Sequence, residues 1–465
     1  MLVLSINLAL YLVMDNVHAT SEASNQKIVA VTGASGFIGA HLCRNLVRHG
    51  YTVRACVRNM SPEKTHHLLA INENKDGYGS LSLYEADMMQ EGVYNDIFDG
   101  VYGVFHVAGN FGTDDRWKEK AKVALHKSHG EKDVNEDDVL IDQEELCYNQ
   151  GVYDSYVEPL RHLLESVRKS QTVRRVIYTS SQCTGPIISQ DNPVYESLHD
   201  NPYGKGKEDC ERMLYNFGLA HPHILCMSSV PCEVMGPILS PLHDTVYPHR
   251  LAGIVVGYWP PGSGWCVADV RDVADTQRRM LEAKSPDLVV QGTRFYNGAD
   301  RPMTGWQLYR MLKSRFPQMT QNVLKPSEEL DEDDGSESDS GGEAEEETPP
   351  NDNEIKSSDE HSEASTASSY GESCWATEGT TQWSDPEAIL GVSRHAVGDT
   401  VQDTLESLLE LGILSSSQSQ PKLWQLPQYT RRALEQYYKV AEMDGETYEM
   451  AWIVANLRRL EAESE

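Results

Sequence analysis

A β-branched run, Lys27-Ile28-Val29-Ala30-Val31, leads into Thr32-Gly33-Ala34-Ser35-Gly36-Phe37-Ile38-Gly39. Residues Ala40 to Gly50 then follow with helical periodicity. This is strand, tight turn and helix, with glycines spaced G-x-x-G-x-x-G. Such spacing permits a sharp turn, close backbone approach to a diphosphate, and packing of helix on strand. The free amides at the helix start, around Ser35, Gly36, Phe37 and Ile38, would face the phosphates.

The pattern repeats downstream. Thr52 to Arg58 alternates as a second strand, Leu81 to Met88 is a third ending near Asp87, and Val101 to Gly109 is a fourth. A helix-like Val93 to Phe98 lies between the last two. Strands alternating with helices at this spacing predict an α/β fold, a Rossmann-type doubly wound parallel sheet. Where NAD-binding folds place a carboxylate for the ribose 2′-hydroxyl, the second strand ends in Arg58, with Lys64 following. Cationic side chains suit a 2′-phosphate, so the expected cofactor is NADPH. The small residues Ala108 and Gly109 at the fourth strand's end would let a ribose or nicotinamide lie close.

Residues 110–146 are polar and charged and are expected to form an insertion with at most one surface helix; His126 and His129 within it are expected to be a solvated pair. Helical periodicity returns over Val152 to Val167, where Pro159 implies a kink or a late start. A buried strand, Arg175 to Thr179, then runs into Ser180 and Ser181. Tyr203-Gly204-Lys205-Gly206-Lys207 opens a helical stretch shortly after. Four residues apart on a helix, Tyr203 and Lys207 share a face. A phenol is a poor acid-base catalyst at neutral pH, and a nearby ammonium stabilises its phenolate and lowers its pKa. Ser181, at a strand's carboxyl end, could hydrogen-bond a substrate carbonyl oxygen.

The formal charge is −31, unlike that of a nucleic-acid-binding protein. Between Glu328 and Thr380 stand 19 acidic residues against Lys356 alone, so this segment carries −18 and the remainder −13. Like charge and low hydrophobicity predict disorder there. The nine cysteines include no C-x-x-C pair and are expected to be reduced thiols. The apolar stretch Leu2 to Met14 is short for a membrane span and lacks a basic flank, although Val17-His18-Ala19 has the form of a cleavage site. The expected location is cytoplasmic, with the secretory pathway or a membrane anchor through this stretch as the alternative.

The chain resembles the extended short-chain dehydrogenase/reductases of the NAD-dependent epimerase/dehydratase superfamily, in particular the dihydroflavonol reductase and cinnamoyl-CoA reductase branch. The likeness rests on Thr32 to Gly39, Gly50 to Arg58, Gly103 to Ala108, Val230 to Pro237 and Val270 to Ala274. It implies that Gly33, Gly36 and Gly39 form the diphosphate turn, that Arg58 contacts the 2′-phosphate, and that Asp87, with Met88 beside it, meets the adenine. It further implies that Pro231 opens the segment beside the nicotinamide, and that Ser181, Tyr203 and Lys207 are the catalytic triad. Tyr203 would then protonate a carbonyl oxygen as hydride arrives, with Lys207 holding the nicotinamide ribose and tuning Tyr203.

The departures concern the substrate. Pro186 stands where dihydroflavonol reductases have an asparagine, the stretch from Ser181 to Tyr203 is short, and Tyr156 occupies a position that is often Asn or Thr. The expectation is a reductase of a ketone or aldehyde on a small hydrophobic molecule. An epimerase, dehydratase or sterol-type dehydrogenase, or a non-catalytic cofactor-binding scaffold, are the alternatives. The resemblance resumes at Trp383 to Leu414, so the acidic segment would interrupt the domain. The expected organisation is an extension (1–26), a nucleotide-binding domain (27–230), a smaller substrate-binding part (231–327), the acidic insertion (328–380), a closing segment (381–414) and a helical tail (415–465). A protein partner could engage the acidic loop or the tail. No nucleic-acid partner is expected, and the protein would be a monomer or homodimer.

Overall fold

Alternating strand and helix patterns produce β1 (Ile28–Thr32), α1 (Phe37–Arg48), β2 (Thr52–Val57), α2 (Pro62–Glu73), β3 (Ser80–Glu85) and β4 (Gly103–His106). There follow α3 (Glu136–Lys169), β5 (Arg175–Thr179), α4 (Pro202–Ala220) and β6 (Leu225–Pro231). The computed structural model describes residues 27–73, 79–109, 136–184, 202–244, 247–248, 251, 264–284, 288–299, 303–317 and 383–414. Most of the polar insertion, all of the acidic segment and both termini, with the expectations attached to them, lie outside the described residues.

The main sheet is seven-stranded, in the order β10-β6-β5-β4-β1-β2-β3, where β10 is Arg294–Asn297. Every neighbouring pair is parallel; Val31 is in register with Ala55 on one side and Phe105 on the other, and Ile177 lies between Phe105 and Met227. Its strands are near-continuous buried apolar runs because helices cover both faces. On one face α1 and the helix α5 (Val270–Glu282) bury Leu42, Leu46, Met280 and Leu281; on the other α3 and α4 bury Leu160, Leu163, Val167 and Leu214. Each such side chain contributes roughly 1.5–3 kcal/mol of apolar burial. The chain runs outward from β1 to β3, then restarts at β4 and runs the other way. The crevice between the carboxyl ends of β1 and β4 is therefore the topological switch point, where ligands of such sheets bind.

Three local expectations are corrected. The 27–230 nucleotide-binding unit does not close at residue 230, because β10 and α5 complete the sheet and one helical layer. Without β10, the β6 backbone would be left as an open edge. Ser384 extends that edge, giving its amide to Arg294 O and accepting from Tyr296 N. The α3 helix begins at Glu136, inside the stretch expected to be insertion, and includes Pro159, so the proline does not mark a late start. Residues Val93 to Phe98 form turns rather than a helix, with Tyr94 and Phe98 stacked 5.1 Å apart.

The smaller part is built from β7 (Glu233–Met235), β8 (Gly264–Trp265), β9 (Val267–Asp269), β11 (Met303–Thr304), α6 (Gly305–Arg315), α7 (Pro386–Leu390) and α8 (Val397–Glu410). Met235, Trp265, Leu308 and Leu312 pack with Val401, Leu405 and Leu408, so residues on both sides of the acidic segment share one core. The 3₁₀ turn Pro241–His243 is capped by Ser240, whose hydroxyl accepts from Leu242 N.

One buried ion pair ties three elements together. Arg294 Nε of β10 lies 2.7 Å from Glu211 Oε2 of α4, and Arg294 Nη2 donates to Thr184 Oγ1 at 2.7 Å. Thr184 follows β5 and donates to Glu211 Oε1 at 3.2 Å. Removing one member strands a buried charge. Glu211→Ala is expected to lower the unfolding free energy by about 3–5 kcal/mol, read as a fall in the urea midpoint; an unchanged midpoint would show that the pair is not structural.

Candidate active site

The glycine turn sits at the switch point. Gly33 has φ +66, and a Cβ there would lie 2.7 Å from both Cα and N of Ala108 at the end of β4. A Cβ on Gly39 would come within 2.2 Å of Gly33 O. No side chain larger than hydrogen fits at either place, so α1 starts directly over the ends of β1 and β4. Its N-cap is Gly36, which has no side chain to cap the helix. The first amides of α1, from Phe37 and Ile38, are thus left without a side-chain acceptor. Open backbone and an uncapped helix start fit a diphosphate, so the residues present suit a dinucleotide.

Most of the other expected cofactor residues lie at or just beyond the carboxyl ends of the sheet strands. Arg58 directly follows β2 and Lys64 lies in the first turns of α2, both exposed on the β2 side of the turn. Asp87 and Met88 follow β3, half-buried; Asp87 Oδ1 accepts from Met89 N at 3.1 Å, and Met88 O pairs with His162 Nδ1 at 3.2 Å. Ala108 N donates to Thr32 Oγ1 at 3.3 Å, and the same hydroxyl pairs with His106 Nδ1 at 2.8 Å. Pro231 is the buried end of β6, and its carbonyl accepts from Gln182 N at 3.0 Å.

The hydroxyl and amine groups converge one strand away. Ser181, 8% exposed, lies just beyond the carboxyl end of β5, where its Oγ accepts from Cys183 N at 3.3 Å and hydrogen-bonds the Tyr203 phenol. Tyr203 and Lys207 occupy successive turns of α4. Lys207 Nζ donates to Thr179 O at 2.8 Å, stands 5.0 Å from the ring centroids of both Tyr156 and Tyr178, and passes close to Gly109, after β4. Gln277 of α5 donates to Thr179 Oγ1 at 2.9 Å, anchoring the strand end from the opposite face.

Burial sets the protonation states. It lowers Lys207 to about 8, which still leaves the amine mostly protonated at neutral pH. The Tyr203 phenol moves upward, against the expected depression by Lys207. Desolvation is the dominant cause, the Cys183 thiol adds to it, and the Ser181 hydrogen bond opposes it. The ammonium lies along Thr179 O and the two tyrosine rings, so Tyr203 is held as a neutral proton donor. Tyr156 meets Tyr203 edge to face at 5.3 Å and fills the space beneath Lys207 with an aromatic ring, where a shorter polar side chain could have carried a proton.

A ring of histidines, unexpected from the sequence, fastens the turn to the smaller part. His41 Nε2 donates to Pro237 O at 2.7 Å. His243 Nε2 donates to Ser35 O at 3.2 Å while its Nδ1 accepts from Leu239 N. His67 packs against His243 at 4.8 Å, and Phe37 touches both His41 and His243. No local periodicity marks this set, because its members come from α1, α2 and a turn far downstream.

Residues 29–136 match the NAD dependent epimerase/dehydratase family. A bifunctional dihydroflavonol 4-reductase/flavanone 4-reductase of Pyrus communis is 29% identical over 232 residues, 47% of this chain and 57% of that protein. Cinnamoyl-CoA reductase CAD2 of Medicago truncatula is 28% identical over 269 residues, 55% of this chain and 72% of that one. The chain thus spans little more than half the length of the first of these curated relatives. The solved structure of Gre2 from Candida albicans in complex with NADPH superposes with a TM-score of 0.54 at 18% identity, covering 83% of this chain and 99% of that one. The fold and the glycine turn define an NAD(P)-binding Rossmann-type protein. Over residues 29–136 the chain is similar to the NAD dependent epimerase/dehydratase family, and dihydroflavonol and cinnamoyl-CoA reductases are among its relatives.

The buried histidines make the fold acid-sensitive. Burial lowers His41 and His67 to about 4 and His106 and His243 to about 3, against 6.5 when exposed. Between these values the unfolded chain binds protons that the folded chain does not, so stability is lost as pH falls from 6.5 towards 4. Each site contributes up to about 1.4 kcal/mol per pH unit. Urea melts at graded pH should show the midpoint dropping across this window; a flat midpoint would show that the histidines titrate normally.

Proposed function

We propose that the protein is an NADPH-dependent oxidoreductase that reduces a ketone or aldehyde group on a small hydrophobic substrate. The observation that carries this reading is the Ser181–Tyr203 hydroxyl pair at the end of β5, with the Lys207 ammonium on the next turn of the same helix, beside the glycine turn. The reductase names of the relatives support it.

In this reading NADPH, when bound, supplies the hydride. The chain's own residues do the rest. The backbone of Gly33, Gly36 and Gly39 and the amides of Ser35, Phe37 and Ile38 receive the diphosphate, Arg58 and Lys64 the 2′-phosphate, and Asp87 and Met88 the adenine. Ala108 leaves room for the ribose, and Pro231 flanks the nicotinamide. Ser181 orients the substrate carbonyl oxygen, and Tyr203 gives that oxygen its proton. The upward shift of the phenol suits this direction, because Tyr203 arrives protonated and becomes basic once it has donated. Lys207, charged below about 8, binds the nicotinamide ribose and offsets the negative charge left on Tyr203.

Purified protein incubated with NADPH and a panel of ketones, aldehydes and sugar nucleotides should consume NADPH with at least one carbonyl compound, followed at the reduced-nicotinamide absorbance band. Tyr203→Phe should lower that rate by roughly 10²–10⁴-fold while leaving NADPH binding intact. Cofactor oxidation with no member of the panel would overturn the reductase reading. Arg58→Ala should weaken NADPH far more than NADH, whereas equal losses would remove the 2′-phosphate contact. Activity should decline as pH rises through about 8, where Lys207 loses its charge.

A further inference from the structure

Apart from the half-buried Cys183, the described cysteines divide into two kinds. Among the described residues Cys43, Cys56, Cys210 and Cys226 are buried among apolar side chains, and burial drives their thiols up, those of Cys56, Cys210 and Cys226 to about 12. Such thiols are inert. Cys232 and Cys266 also pack in a buried apolar cluster, but they differ in meeting each other and a shared phenol. Cys232 directly follows β6 and Cys266 lies between β8 and β9, each with 7% of its surface exposed. The parallel pairing of β7 with β9 sets Glu233 opposite Val267, and one residue back the same register sets Cys232 opposite Cys266. Glu233 N donates to Cys266 O at 3.2 Å, and Cys266 N donates to the Glu233 carboxylate, so the two backbones are held side by side.

Neighbouring strands run about 4.7–4.9 Å apart, within the Cα separation of about 4.4–6.8 Å that a disulfide spans. Paired residues in register present their side chains to the same face. Here both sulfurs meet one phenol, with Cys232 Sγ at 2.9 Å and Cys266 Sγ at 3.0 Å from Tyr296 OH, and they also hydrogen-bond each other. Gly298 makes room for this cluster, since a Cβ there would lie 2.5 Å from Cys232 Sγ.

We propose that Cys232 and Cys266 form a reversible dithiol–disulfide couple that reacts with low-molecular-weight disulfides of the glutathione type. Cys266 is the attacking sulfur: the hydrogen bond from Cys232, helped by Tyr296, lowers its pKa, while burial and the neighbouring thiol raise that of Cys232. The Cys266 thiolate attacks one sulfur of the added disulfide, whose S–S bond breaks and releases one thiolate. Cys232 then loses its proton and attacks the Cys266 sulfur of the mixed disulfide, releasing the second thiol. The two protein thiols give up two electrons and two protons, and the added disulfide takes up both. The Tyr296 ring that meets both sulfurs stacks on Trp383 at 4.8 Å, and Trp265 directly precedes Cys266 in the chain. Indole fluorescence therefore reports the change independently of any catalytic activity.

The test uses the folded full-length chain in graded ratios of oxidised to reduced glutathione, quenched by alkylation and mapped by peptide mass. A Cys232–Cys266 linked peptide is expected, with a parallel change in fluorescence, both reversed by dithiothreitol. Cys232→Ser and Cys266→Ser should each abolish the link while keeping a hydroxyl towards Tyr296, whereas Cys183→Ser should leave it unchanged. Cys266→Ser should also slow the first capture of glutathione by about tenfold or more, with a smaller effect from Cys232→Ser. The proposal is overturned if Cys232 and Cys266 are recovered separately alkylated at ratios that oxidise other thiols, if either pairs instead with a different cysteine, or if the link forms only after urea unfolding.

Discussion

At the turn after β1, backbone packs against backbone with no room for a side chain. Gly33 lies against Ala108, and Gly39 against the carbonyl of Gly33, at separations that exclude even a methyl group. This contact places the start of α1 over the ends of β1 and β4, and the rest of the site takes its position from there. Thr32 can reach both Ala108 N and His106, and His106 stacks on Tyr178 at 5.8 Å. Tyr178 in turn forms one wall beside Lys207. A sequence of contacts thus runs from the turn to the amine across three adjacent strands, each in fixed parallel register with the next.

Low polarity governs the chemistry available at this site. Burial disfavours charge, so Lys207 is pulled down and Tyr203 pushed up, both towards neutrality. The ammonium survives because Thr179 O accepts from it and the faces of Tyr156 and Tyr178 lie 5.0 Å away. A cation over an aromatic face gains about 0.5–2 kcal/mol, more as water is excluded. Two such faces and one carbonyl offset part of the desolvation cost, and nearby Cys210 and Glu211 favour the ammonium electrostatically as well. An amine balanced in this way remains available to a ligand hydroxyl, and a phenol kept neutral remains available as a donor.

Strands β1 to β5 of the nucleotide-binding sheet were legible in the sequence, since buried apolar runs and a glycine turn are local signals, whereas β6 was not read. The shared helical face of Tyr203 and Lys207, which needs only a spacing of four, was legible too. What could not be read were contacts whose partners lie far apart in the chain. The strand Arg294–Asn297, which the resemblance also matches to a late strand of the family, begins with a charged residue, and only the fold brings Glu211 and Thr184 to Arg294. Pro159 is tolerated inside α3 because neighbouring helix and sheet residues bury that stretch on tertiary contacts that outweigh one lost backbone bond. The sign of the Tyr203 shift depends on how much water burial removes, a quantity that spacing does not carry.

The same reasoning explains how one domain accommodates the acidic segment. Its described flanks are held independently of what lies between them. On one side Arg315 Nη1, at the end of α6, donates to Gly398 O and Gln402 Oε1, each at 2.7 Å. On the other, Trp383 stacks on Tyr296 and Ser384 joins the edge of β10. Leu308 and Leu312 then share a core with Val401, Leu405 and Leu408. These contacts fix both ends, and for any flexible connection between fixed ends each doubling of its length costs about 0.6 kcal/mol in chain closure. A single buried apolar side chain, at roughly 1.5–3 kcal/mol, outweighs such a doubling. The position between α6 and Trp383 is therefore one where the fold can take up a long, highly charged stretch while its core and the site at the switch point keep their geometry.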